Sequence, residues 1–183
     1  MSITSNDEKR VQLFASLSMI PGLLLSIYTG IYSKHWRIKV AGYLYCIPCI
    51  VAMTYHYNKY KNPFEYSPKW FRRDIISQQI GVYIPFLLTP NAIPGILTTA
   101  PFILLSWLCD SKIIIESYII GWCHIFTIII MGLFITPKSG LFGIASLCAF
   151  HSPTKYYISL WHIVGSFGMF YAWNEWSIKL DKI

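Results

Sequence analysis

The sequence predicts an all-α integral membrane protein, a seven-transmembrane helix bundle forming one transmembrane domain over residues 1–183. Three observations lead there. Charged residues are 13% of the chain and hydrophobic residues 55%, whereas soluble domains carry about 25% charge. Mean hydropathy is +0.47, and a chain of this size cannot hide that much apolar surface in one core. Long uncharged runs cover 11–33, 40–58, 75–109, 117–137, 139–154 and 156–174, and a crossing helix needs ~20 mostly apolar residues. Composition thus excludes a disordered chain and speaks against an ordinary soluble enzyme.

The runs assign the elements in order. Residues 11–32 and 40–57 each suit one helix. The run 75–109 would make a helix of ~52 Å, too long for one crossing. Its centre, Thr89-Pro90-Asn91-Ala92-Ile93-Pro94-Gly95, is turn chemistry, because proline and glycine interrupt helices. It therefore divides into 75–90 and 92–109. Helices follow over 113–136, 139–153 and 156–174. The stretch 139–154 lies between Pro137 and Pro153 and is marginal in length. It either spans tightly or re-enters, which would leave six spans plus a re-entrant segment. The first run lacks a small-residue cleavage site after a short apolar core, so it reads as a retained helix.

With seven spans, one membrane side holds Lys9, Arg10, Lys59, Lys61, Lys69, Arg72, Arg73, Lys112 and Lys155. The other holds Lys34, Arg37, Lys39, Lys138, Lys179 and Lys182. The excess leans toward a cytosolic N-terminus. A net charge of +7 suits a membrane protein facing anionic lipid, so the expected partners are membrane lipids and not nucleic acid. No retention or lipidation motif distinguishes the endoplasmic reticulum or Golgi from the plasma membrane.

Cys46, Cys49, Cys109, Cys123 and Cys148 all lie in or beside apolar runs, not in loops where an oxidising compartment would form bridges. Cys46-Ile47-Pro48-Cys49 has redox-pair spacing. A membrane thiol oxidoreductase of the vitamin K epoxide reductase type uses such a pair, together with a second shuttling pair that this sequence lacks. The competing reading is two small buried residues beside a proline kink.

Ionisable groups at membrane depth default to a functional hypothesis. They are His56, Asp74, Glu116, His124, His151 and His162, with Gln78 and Gln79 nearby. With seven spans, His56, Asp74, Glu116, His151 and His162 fall on one membrane face, and His124 lies midway through the fifth helix. Two or three histidines with a carboxylate suit zinc. An open fourth position lets zinc lower the pKa of water to about 7.

The stretch Ser159-Leu160-Trp161-His162-Ile163-Val164-Gly165-Ser166-Phe167-Gly168 resembles the last helix of the CREST superfamily, and Thr54-Tyr55-His56 and Phe71-Arg72-Arg73-Asp74-Ile75 are similar to its myomaker-related branch. That superfamily also contains alkaline ceramidases and progestin and adiponectin receptors. The resemblance implies seven helices and an intramembrane zinc whose water hydrolyses a lipid amide or ester. It implies His56 as the second-helix ligand, His162 as a ligand on the last helix, and Asp74 as the catalytic carboxylate, orienting water or supporting the ligands from behind. The sequence departs from the pattern twice. Ile158 stands where the family has its other last-helix histidine, and Ala52 stands where it has a serine. His151 or His124 would then supply a third ligand.

Three functions follow as expectations: a zinc-dependent lipid amidase or esterase; a non-catalytic receptor, scaffold or membrane-remodelling protein of the same fold; or a thiol redox protein using Cys46 and Cys49. The aromatics Trp161, Trp173, Trp176, Tyr156, Tyr157 and Tyr171, and Tyr43, Tyr45, Tyr55 and Tyr57, read as interfacial belts. Gly140, Gly143 and Ala145 in the sixth helix, with Gly165, Ser166 and Gly168 in the seventh, predict close packing of that pair. Such packing would bring His151 and His162 toward one cavity.

Overall fold

A computed structural model describes residues 5–63, 68–78 and 137–181, together with positions 80, 81, 88 and 104. The described residues are entirely helical, with no strand among them. The helices are α1 (Ser5–Leu17), α2 (Ile20–Tyr32), α3 (Trp36–Lys61), α4 (Pro68–Gln78), α5 (Pro137–Phe150) and α6 (Tyr157–Leu180). Apart from position 104, the expected helices 92–109 and 113–136, with Glu116, His124, Cys109, Cys123 and Gln79, lie outside the described residues.

The first apolar run forms two helices where one was expected. Pro21 has no N–H and its ring crowds the carbonyl four residues back, that of Leu17, so α1 ends there. The break is tightened by Met19 N–H donating to Ser16 O at 3.3 Å and by Ser18 Oγ donating to Ala15 O at 2.7 Å. Asp7 and Glu8 occupy the first turn of α1, where negative charge complements the helix dipole. They extend the helix back into what the sequence presents as a polar tail. Together α1 and α2 cover Ser5–Tyr32; this stretch and α3 are each long and apolar enough to cross a membrane.

α2 and α3 form a close antiparallel hairpin. A Cβ on Gly42 would stand 2.7 Å from Gly30 N and 2.8 Å from Ser26 O, so only glycine lets the two backbones approach this closely. Pro48 lies inside α3. Gly81 sits against its ring and against the Leu44 carbonyl, the acceptor that Pro48 cannot serve.

α6 runs alongside α1 and α2 in the same direction. His162 meets Ala15 and Ser18, Ser166 meets Gly22, Phe170 meets Tyr28 and Asp181 meets His35. Against α3 it is antiparallel, with His162 beside His56 and Trp173 edge-on to Tyr45 at 5.3 Å. The core among these helices is Met19, Ile38, Ala41, Tyr45, Cys49, Ala52, Met169, Ala172, Trp173 and Trp176. Trp173 and Trp176, 3% and 4% exposed, are therefore core residues rather than interfacial ones. α6 continues past the end expected at 174 to Leu180, so both tryptophans lie within the helix and pack into the bundle. Tyr45 and Tyr55 are likewise buried, whereas Tyr43 and Tyr57 are exposed.

α5 packs antiparallel on α6, as the small residues predicted: Gly168 faces Phe142 and Gly165 faces Ser146. Ser166 points the other way, toward Gly22 of α2. α5 is 14 residues long, ~21 Å at 1.5 Å per residue, shorter than the ~30 Å hydrocarbon core. α4 packs against the C-terminal half of α3, with Phe71 6.1 Å from Tyr55.

Candidate functional site

His56 and His162 carry the site. α3 places His56 more than one turn before its end at Lys61, not at the helix terminus the sequence suggests. α6 places His162 in its second turn. Because α3 and α6 run in opposite directions, both residues reach the same end of the bundle. Their ring centroids are 5.3 Å apart at an interplanar angle of 62°. His56 is 4% exposed and His162 8%.

Both rings are tied to α1. His56 Nδ1 is 2.8 Å from Gln12 Oε1, and Gln12 Nε2 donates to Glu8 Oε1 at 2.8 Å. His162 Nδ1 is 3.0 Å from Ser18 Oγ and 3.2 Å from Ala15 O. Val11, Gln12, Ala15 and Ser16 form the buried face of α1, a stripe of helical period, and Ser16 Oγ donates to Met53 O of α3 at 2.9 Å. The helix that looked like a plain first span thus supplies the polar partners of both histidines. Gln12 and Ser18 were not singled out in the sequence; an amide and a hydroxyl inside an apolar run were the available signal.

Asp74 is buried, 7% exposed, within α4. α4 begins at Pro68, so Asp74 belongs to an established helix instead of opening one. Arg73 lies over the Trp70 ring at 4.7 Å. His151 does not join the pair. α5 stops at Phe150, and His151 stands exposed beyond it, edge-on to Phe150 at 5.4 Å. The rings of Phe150 and Trp161 lie between His151 and His162. The tight packing of α5 on α6 therefore occurs without bringing His151 inward: Phe142, Ser146 and Phe150, four residues apart, form the face of α5 toward α6, and His151 stands one residue off that face. Among the described residues, no group of three or more His, Cys, Asp or Glu stands together as a metal site.

Cys46, Cys49 and Cys148 are free thiols. Cys49 is fully buried in the core, and Cys46 Sγ donates to the Gly42 carbonyl at 3.6 Å. Both contacts are those of small residues packing along α3.

The donors that meet are the kind zinc accepts. Two imidazoles sharing one tetrahedral zinc at ~2.1 Å from each nitrogen have ring centroids roughly 5 Å apart, and each ring here anchors its other nitrogen on α1. Such anchoring orients metal-bound histidines. No protein-family model matches the chain, and no curated protein or solved structure matches it either.

Proposed function

We propose that the chain is a seven-span membrane protein that holds zinc between His56 and His162, with Asp74 as the site carboxylate, and hydrolyses an amide or ester bond of a membrane lipid. The observation that carries this reading is the buried His56–His162 pair, each ring anchored through Nδ1. An odd number of crossings is supported by α6 running parallel to α1 and α2, since first and last helices of equal direction require it.

In this reading His56 and His162, the two ligating groups that meet among the described residues, bind through Nε2, and Asp74 serves as the base rather than as a ligand. Zinc, when bound, supplies the Lewis acidity that makes water nucleophilic near neutral pH. Asp74 takes the proton from the attacking water as its oxygen adds to the lipid carbonyl carbon. The same proton passes to the departing nitrogen or oxygen as the C–N or C–O bond breaks, so the products are a carboxylic acid and an amine or alcohol. Lys59 of α3, Lys69 and Arg73 of α4, and Lys155 before α6 lie at the end of the bundle nearest the pair. That placement supports a site near lipid headgroups and carbonyls.

The test is hydrolysis of fluorescent lipid amides and esters by purified protein in lipid nanodiscs. Turnover that is abolished in Asp74→Asn and in His162→Ala supports the reading; turnover indifferent to both rejects it.

One observation favours a second reading. Only two ligating groups meet among the described residues. A non-catalytic receptor, scaffold or membrane-remodelling protein of the same architecture needs no more than that, with both imidazoles serving as buried hydrogen-bonding groups.

A further inference from the structure

The hydrogen-bond chain Glu8–Gln12–His56 carries information about proton position. A carboxylate only accepts hydrogen bonds, whereas a glutamine amide has one accepting and one donating end. Glu8 Oε1 stands 2.8 Å from Gln12 Nε2. Turning the amide over would set its oxygen against the carboxylate, two acceptors in contact, so Glu8 fixes which end of Gln12 faces His56. That end is Oε1, 2.8 Å from His56 Nδ1. Since Oε1 only accepts, Nδ1 carries the ring proton and Nε2 keeps its lone pair. The spacing of four residues between Glu8 and Gln12 stacks them on one face of α1, and Gln12 is 4% exposed, so water competes little for its amide.

His162 reaches the same state by another route. Ser18 spends its single proton on Ala15 O at 2.7 Å. It therefore presents a lone pair to His162 Nδ1, and Ala15 O is an acceptor as well. Both neighbours demand a proton on Nδ1.

We propose that α1 is the tautomer-setting element of the paired histidines, with Gln12 and Glu8 as positioning residues that keep Nε2 of His56 basic. This deepens the zinc reading and rests on it only for the consequence at the metal. The prediction is specific to chemical type. Gln12→Leu removes the acceptor and releases the His56 proton to either nitrogen. The exchange E8Q/Q12E restores the chain with its polarity intact, because Gln at position 8 donates to a carboxylate at position 12, which still accepts from Nδ1.

The experiment is nitrogen NMR of imidazole-labelled, chelator-treated protein in nanodiscs, with His56 assigned by His56→Ala. The expected result is a protonated Nδ1 and unprotonated Nε2 at His56 in the natural protein. Gln12→Leu gives a mixed or reversed tautomer with His162 unchanged, and E8Q/Q12E gives recovery. A His56 tautomer unaffected by Gln12→Leu overturns the proposal, as does failure of the exchange to restore it while the His162 signal stays native. Zinc titration of the same samples separates the two readings. Zinc affinity is expected to fall about 10–100-fold in Gln12→Leu. A tautomer that follows Gln12 in a protein that binds no zinc keeps this inference and removes the zinc reading. Zinc binding with a tautomer indifferent to Gln12 does the reverse.

Discussion

His56 of α3 and His162 of α6 lie with ring centroids 5.3 Å apart, His56 held by Gln12 of α1 and His162 by Ala15 of α1 and by Ser18 in the turn just after it. Three helices therefore specify one pair of imidazoles. The pair sits on rigid elements, which is what a binding constellation needs if it is to be preorganised.

The anchor of His162 can be weakened alone. Ser18→Ala leaves Nδ1 with only the Ala15 carbonyl at 3.2 Å. The variant also loses the Ser18 hydroxyl's own bond to Ala15 O, and each hydrogen bond of this kind contributes roughly 0.5–1.5 kcal/mol. Thermal unfolding in detergent should show that loss, and the nitrogen spectrum of His162 should still report a protonated Nδ1. A shift of its proton to Nε2 would show that Ser18, not Ala15, sets the ring.

Close backbone approach predicts an order among glycines. Gly42→Ala meets backbone atoms of Gly30 and Ser26 at 2.7 and 2.8 Å, so α2 and α3 must separate, at a cost of roughly 1–3 kcal/mol. Gly22→Ala meets side chains rather than backbone, the Ser166 hydroxyl, which can rotate, with Ser166 Cβ at 3.1 Å and Cys49 Sγ at 3.3 Å, and should be intermediate. Gly165→Ala has its nearest neighbour at 3.4 Å and should be neutral or stabilising, because alanine favours helix by ~1 kcal/mol. Unfolding midpoints of the three variants check the order; a Gly165→Ala variant less stable than Gly42→Ala contradicts it.

Thiol chemistry should follow burial. Among the described cysteines, N-ethylmaleimide added to native protein in detergent is expected to modify the exposed Cys148 before Cys46 and Cys49, with Cys49 reacting only on unfolding. Mass spectrometry of the peptides reads the sequence of events. Rapid oxidation of Cys46 and Cys49 to a disulfide in the folded protein would revive the redox reading.

The far end of the bundle is closed by a surface contact. His35 Nε2 and Asp181 Oδ1 are 2.7 Å apart, with side chains 28% and 56% exposed. Pairs in this setting contribute up to about 1 kcal/mol. A double-mutant cycle with His35→Ala and Asp181→Ala should return a coupling below that value, and a larger one would mean the pair is shielded from solvent.

The histidines were legible in the sequence because an ionisable group inside an uncharged run stands out, as His56 and His162 do. Their partners were not, because Gln12, Ser18 and the Ala15 carbonyl have nothing unusual in composition; only the register of α1 against α3 and α6 turns them into anchors. Glu8 was hidden for a different reason. It reads as part of a charged tail, yet negative charge in a first turn extends the helix and brings Glu8 onto the face of Gln12. Trp173 and Trp176 misled in the opposite sense: aromatics near the end of an apolar run suggest an interface, but α6 continues six residues beyond 174 and buries both. His151 failed to converge because it follows by one residue the Phe142, Ser146 and Phe150 face that α5 turns toward α6, a register the sequence does not show.

The most direct test of the account is the metal content of the protein purified without chelator, measured by mass spectrometry of the elements. Close to one zinc per chain is expected, lost in both His56→Ala and His162→Ala while the variants stay folded. A stable, natural-sequence protein that carries no zinc and takes up none on titration would contradict it.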